Sequence, residues 1–112
     1  MLIPKYFQNR IQVIAKILLE ISGLDIFDES RSRAGVTARM IAAYQLREDG
    51  LTHAIIGALI GKDHSTVVYY IKRMDTVLNL PGYKAERETW KEFKNKLNEY
   101  DAAIKQTADQ LI

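Results

Sequence analysis

The chain has 112 residues, of which 47% are hydrophobic and 27% charged, a composition typical of one globular domain and unlike that of a disordered chain. It has no cysteine and only two histidines, so it can form neither disulfides nor thiolate metal sites, and we expect no metal and no cofactor. Its start lacks a signal-peptide pattern and no stretch approaches about 18 uninterrupted apolar residues, so we expect a cytoplasmic protein with no membrane partner.

The basic charge is concentrated in the middle of the chain, although the net charge of the whole is only +2. Residues 31–74 carry seven basic and three acidic side chains, an excess of four. Residues 1–30 carry three basic and four acidic side chains, and residues 84–112 carry six of each. A localised basic excess is the expected footprint of phosphate contact, so the middle segment is the candidate for binding nucleic acid.

Apolar residues that recur at spacings of three and four predict helices along most of the chain. The first helix is predicted to open at Pro4, whose missing N–H would be unpaired at a helix start, and to end at Gly23. Its buried stripe consists of Phe7, Ile11, Ile14, Ala15, Leu18 and Ile21. A short apolar cluster follows at residues 24–27, and residues 28–35 are predicted to form a loop.

Three further helices are predicted in the basic middle segment. Thr37 is expected to cap a second helix that Gly50 closes, and Thr52 to start a short third helix that ends at Gly61. Asp63 is expected to cap a fourth helix. The apolar positions on one face of that helix are Val67, Ile71, Met74 and Leu78.

The last segment, after Pro81 and Gly82, carries a heptad seam, because its apolar positions alternate spacings of three and four without interruption. The seam consists of Trp90, Phe93, Leu97, Tyr100, Ile104, Thr107 and Leu111. Such a seam must bury its apolar surface by self-association, against a protein partner, or by packing back on the other helices. Bulky aromatic residues fit a two-stranded coil poorly and favour packing back. The chain as a whole is predicted to be an all-α helical bundle.

Residues 52–78 have the sequence form of a helix-turn-helix, with a short helix, a tight turn and a longer amphipathic helix. Gly57 would let the two helices cross closely because it has no side chain to hold them apart. An ordinary pair of helices has the same form, but the polar residues at the start of the second helix favour DNA binding. Helix-turn-helix proteins read bases with that part of the helix. The outward stripe that continues from it consists of Ser65, Tyr69, Lys72 and Arg73.

The run from Gly61 to Val68, which reads GKDHSTVV, resembles the GRDHTTVLHA signature of the C-terminal DNA-binding domain of the bacterial replication initiator DnaA. The resemblance continues upstream through residues 38–42, the helix start at residues 51–52 and residues 11–27. It implies binding to double-stranded DNA and a role in replication-initiation control or transcription. It also implies a place in the bacterial nucleoid, in a bacterium, a phage or a mobile element.

The resemblance also implies a division of roles among the side chains. Base contacts in the major groove would come from Asp63, His64 and Ser65. The candidates for the DNA backbone or the groove wall are Lys62, Thr66, Tyr69, Lys72, Arg73 and Arg39. Arg31 or Arg33, before the second helix, would enter the adjacent minor groove, where a narrow A/T-rich groove attracts arginine. The other interpretation of these two arginines is a solvated loop.

Departures from the family pattern limit what the resemblance implies. Tyr69 stands where a histidine is usual, and the Arg-Pro-Arg-Gln stretch common before the second long helix is missing, so the preferred DNA sequence is expected to differ. The chain has no glycine-rich phosphate loop, so we expect no ATPase and no enzyme activity. Residues 1–80 are predicted to form the DNA-binding domain and residues 81–112 a C-terminal helical extension. The alternative is a helical module that keeps the fold and uses the extension to bind a protein partner.

Overall fold

The computed structural model describes residues 3–29 and 31–110, and over those residues the chain forms five helices and no strand. The helices are α1 (Lys5–Ser22), α2 (Arg33–Glu48), α3 (His53–Ile60), α4 (His64–Asn79) and α5 (Lys84–Gln110). The all-α helical bundle with a helix-turn-helix is therefore confirmed. None of the described helices is long and apolar enough to cross a membrane.

Most helix ends lie where the turn chemistry predicts them. The Thr52 hydroxyl accepts a hydrogen bond from the backbone N–H of Ile55 at 3.3 Å and caps α3. Gly23 and Gly61 end α1 and α3 with φ angles of 71° and 69°, a left-handed conformation that glycine adopts without a steric penalty. The predicted turns at these glycines are thus confirmed.

The predicted start of the second helix at Thr37 is wrong. Ser32 caps α2 by accepting from the backbone N–H of Gly35 at 3.1 Å, so the helix begins at Arg33 and includes the last part of the expected loop. The Thr37 hydroxyl instead donates to the carbonyl of Arg33 at 2.9 Å, inside the helix. Ser32 and Thr37 both carry a hydroxyl group that suits a helix cap. The sequence favoured Thr37 because the apolar periodicity that marks the helix begins only after that residue.

The core is one cluster in which α2 is central, since it contacts α1, α3 and α4. The buried face of α4 is rotated from the predicted one. Val67 and Met74 are buried as expected, together with Tyr70 and Val77, whereas Ile71 and Leu78 are only half-buried at the edge. The rotation brings the large ring of Tyr70 into the core, where it buries more apolar area than a second aliphatic side chain would.

The first half of α5 packs back on the bundle. The side chains of Phe93 and Leu97 are fully buried in the core, whereas Tyr100 and Ile104 further along the seam are exposed. Packing back is therefore confirmed for part of the seam, and Leu111 lies outside the described residues. Since α5 contributes to the same core as the other helices, the division of the chain near residue 80 stays a prediction.

An ion-pair cluster fixes α5 against α1. The guanidinium of Arg10 on α1 donates to Asp49 at 2.9 Å and to Asp101 of α5 at 2.8 Å. The side chains of Arg10 and Asp49 are 11% and 17% exposed, so this pair is less screened than a surface pair, whereas Asp101 is 47% exposed. These bonds therefore hold α5 against α1 as far along α5 as Asp101.

Candidate nucleic-acid interface

The helix-turn-helix consists of α3, the turn at residues 61–63, and α4, and its two helices approach closely at Gly57. A Cβ atom added there would lie 2.5 Å from the carbonyl oxygen of Lys62, closer than atoms of this kind can approach. The backbone N–H of Lys62 donates to the carbonyl of Gly57 at 2.9 Å, which fixes the turn on α3. The predicted close crossing at Gly57 is confirmed, and it determines how α4 projects from the bundle.

The first turn of α4 is exposed and ordered by its own cap. The carboxylate of Asp63 accepts from the backbone N–H of Ser65 at 3.3 Å and also from the Ser65 hydroxyl. The hydrogen bond from the Ser65 hydroxyl has the largest effect on the pKa of Asp63, and it and the bond from the Ser65 N–H both lower that pKa. Asp63 is therefore ionised at neutral pH. Both bonds use one carboxylate oxygen, so the other oxygen has lone pairs for a further donor. In this conformation the Ser65 hydroxyl presents only acceptor lone pairs.

The ring of His64 contacts a second histidine, which was not among the candidate site residues. His53, the first residue of α3, lies edge-on to His64 with 5.4 Å between the ring centroids. Desolvation lowers the pKa of His53, and the charges of Arg47 and His64 lower it further. The contact restricts the orientation of the His64 ring. The only sign of this contact in the sequence is that His53 and His64 begin the two helices of one helix-turn-helix.

The exposed side of α4 continues from this turn. Tyr69 is 57% exposed, and the side chain of Lys72 is also exposed. Arg73 is half-buried as a residue, and the Cζ atom of its guanidinium lies 4.9 Å from the centroid of the Tyr83 ring. Lys62 and Thr66 are half-buried near the helix start. Helical periodicity places Ser65, Tyr69 and Lys72 on one face.

The three arginines of the preceding segment lie in different environments. Arg31 is exposed before α2, whereas Arg33 is helical, and its guanidinium donates to the carboxylate of Glu86 at 2.8 Å. Arg39 is only 3% exposed and donates to the carbonyl of Asp28 at 2.8 Å. Because its side chain is inside the fold, Arg39 braces the segment between α1 and α2 and does not belong to the interface that we propose below.

Comparisons with known proteins agree with this geometry. The family described as the bacterial dnaA protein helix-turn-helix matches residues 9–74, which include most of α1, all of α2 and α3, and α4 up to Met74. No match was found among curated proteins or among solved structures. The family match covers more than half of the 112-residue chain and ends before α5. The chain therefore belongs to the bacterial DnaA helix-turn-helix family, whose helix-turn-helix binds DNA.

Proposed function

We propose that this protein binds double-stranded DNA sequence-specifically, with the start of α4 in the major groove, and acts in replication-initiation control or transcription without ATPase activity. The observation that carries the proposal is the exposed first turn of α4, where Asp63, His64 and Ser65 lie together on a capped helix start. A helix-turn-helix presents this part of its second helix to the edges of the bases. An ordered turn loses less conformational freedom on binding than a mobile one.

The chemistry of the three side chains fits base reading. The carboxylate oxygen of Asp63 that Ser65 does not use can accept from the N4 amino group of cytosine while the other oxygen remains on the cap. The exposed ring of His64 offers a nitrogen donor or acceptor. Ser65 offers acceptor lone pairs while its hydroxyl donates to Asp63, and donates to a base only after it rotates away. This turn therefore favours a cytosine or an adenine, whose amino groups donate in the major groove, over a guanine or a thymine on the strand that it contacts.

Side chains around this turn would hold the DNA backbone. Lys62, Lys72 and Arg73 carry positive charge close to or along the exposed side of α4, and Thr66 and Tyr69 add hydroxyl groups. These contacts would fix the position of the protein on the duplex without selecting a sequence. Arg31 and Arg33 would reach the adjacent minor groove. Arg33 would either keep its hydrogen bond to Glu86 while it contacts DNA or break that bond to do so.

The test begins with selection of bound sequences from a random duplex pool, followed by anisotropy titrations against the selected duplex and a duplex of mixed sequence. We expect an enriched sequence that binds more tightly than mixed DNA, with an affinity that falls steeply as salt rises. Lys72→Ala should weaken binding to both duplexes and reduce the salt slope by about one ion. Lys96→Ala, which removes the same charge from α5 beside α1, is the matched control and should change neither. No enrichment and no salt-dependent binding would refute the proposal.

A second candidate function concerns the far half of α5. Tyr100 and Ile104 remain 41% and 54% exposed although they continue the seam that Phe93 and Leu97 bury. Exposed apolar residues in a continuous row favour a contact with a protein partner or a second copy of the chain. Light scattering at increasing concentration, with Ile104→Glu as the disrupting variant, separates these cases. A particle that remains monomeric in both proteins would exclude self-association.

A further inference from the structure

The joint between α4 and α5, residues 80–83, lies outside the family match. It nevertheless contacts Arg73, a cation of the proposed interface. Tyr83 is in the joint, and its ring lies under the guanidinium of Arg73 at 4.9 Å. Tyr69, Arg73 and Tyr83 also border one cavity of about 300 Å³, together with residues of α2 and Glu86 of α5. The ring of Tyr83 is thus next to the exposed side of α4, and its place there depends on how the joint is fixed.

Hydrogen bonds fix the joint on the end of α4. The guanidinium of Arg87 donates to the carbonyl of Leu80 at 2.6 Å and to that of Val77 at 3.3 Å. Carbonyls at a helix end lack partners within the helix, and a cation there also interacts favourably with the helix dipole. The backbone N–H of Arg87 donates to the carbonyl of Tyr83 at 3.0 Å. Tyr83 is therefore held at a defined place relative to α4.

The contact between Tyr83 and Arg73 leaves the arginine able to bind an anion. A guanidinium that stacks on an aromatic ring contacts the ring with its flat face. The five N–H donors of the guanidinium point outward in the plane of the group and stay available. Among the described residues, no hydrogen bond or ion pair to another side chain is found for Arg73. An arginine held by its face in this way has its rotamer restricted and keeps the donors that a phosphate needs, including a bidentate pair.

We propose that Tyr83 is a positioning residue for DNA binding, which holds the guanidinium of Arg73 ready for a phosphate of the duplex. The inference rests on the proposed function, in which Arg73 contacts the DNA backbone. A long side chain that is ordered before binding loses less freedom on binding. The C-terminal segment thereby contributes to the DNA interface through Tyr83, while further along α5 the side chains of Phe93 and Leu97 are buried in the core.

The test is a double-mutant cycle on the full chain, with a fluorescent duplex of mixed sequence as the probe. Tyr83→Leu should lower the affinity about two- to ten-fold, the effect of ordering one long side chain on binding. Tyr83→Phe keeps the ring and should bind as the wild type does. Arg73→Ala should lower the affinity and reduce the salt slope by about one ion. In the Arg73→Ala background, Tyr83→Leu should have no further effect.

Each outcome decides a separate claim. If Arg73→Ala changes neither affinity nor salt slope, Arg73 does not contact a phosphate and that part of the proposed function is wrong. If Arg73→Ala acts but Tyr83→Leu has no effect, or has the same effect in both backgrounds, the positioning role is wrong. Melting curves show which variants are folded, and Tyr83→Met replaces Tyr83→Leu in the cycle if the latter is unfolded at the assay temperature.

Discussion

Replacing Gly57 with alanine tests the close crossing of α3 and α4, because two physical effects of the change have opposite signs. Alanine is the better helix former by about 1 kcal/mol, so helix propensity alone would stabilise the protein. The added Cβ atom, however, would lie 2.5 Å from the carbonyl oxygen of Lys62 and 3.6 Å from a methyl carbon of Val67. The nearer atom belongs to the backbone of the turn, which cannot rotate away as a side chain would.

The expected size follows from these two effects. Overpacking costs about 1–3 kcal/mol, and a clash with a backbone carbonyl belongs at the upper end of that range. After the gain in helix propensity, we expect a net loss of about 2 kcal/mol in the free energy of unfolding. With an unfolding entropy of about 2.1 cal/mol/K per residue, the melting temperature should fall by about 9 °C.

The assay is a thermal melt followed by circular dichroism, with Ala58→Gly as the control. Ala58 is exposed on the same helix, so its replacement reports helix propensity alone and should lower the melting temperature by about 4 °C. Gly57→Ala should also weaken duplex binding, because the turn that carries α4 must shift. A melting temperature that is unchanged or higher in Gly57→Ala would refute the close crossing.

The remaining predictions concern charge, packing and pH. Glu86→Gln removes a negative charge beside Arg33, so it should tighten binding to any duplex about two- to five-fold at low salt. Anisotropy titrations measure this change, and weaker binding would show instead that the carboxylate supports the interface. Leu97→Ala should lower the free energy of unfolding in urea by about 2–5 kcal/mol, whereas Ile104→Ala, on the exposed part of the seam, should change it by less than about 0.5 kcal/mol. Equal losses would contradict the packing of α5. The folded state lowers the pKa of His53 below 6.5, so the unfolded state takes up the proton first, and stability should fall as pH drops through 6.5 towards the folded pKa. His53→Gln should remove that part of the pH dependence, and an unchanged profile would contradict the shift.

Local chemistry explains why much of the fold could be predicted from the sequence. A cap at Thr52 or Asp63 depends on a side chain and a backbone N–H two or three residues away, so the sequence carries the signal. Ser32 and Thr37 show the limit of such signals, because either hydroxyl suits a cap and the true start lies before the apolar pattern begins. The rotation of α4 was not predicted, since a choice between neighbouring apolar faces depends on the helices packed against it.

Contacts between distant parts of the chain explain what sequence reasoning missed at the site. The burial of Arg39 depends on a carbonyl 11 residues away, and the pairing of Arg33 with Glu86 joins residues 53 apart. The contact between Arg73 and Tyr83 depends on how the joint after α4 turns back on the helix. Such pairings are set by the assembled bundle, so charge and periodicity alone could only identify the cations as candidates.

The central claim is that the first turn of α4 reads bases, and the specificity ratio of His64→Ala tests it most directly. The ratio is the dissociation constant for a mixed-sequence duplex divided by that for the selected sequence, measured at one salt concentration. We expect His64→Ala to weaken binding to the selected sequence about ten- to a hundredfold and to leave binding to mixed DNA nearly unchanged, so the ratio falls by that factor. An equal loss on both duplexes, which leaves the ratio unchanged, would contradict base reading by this turn.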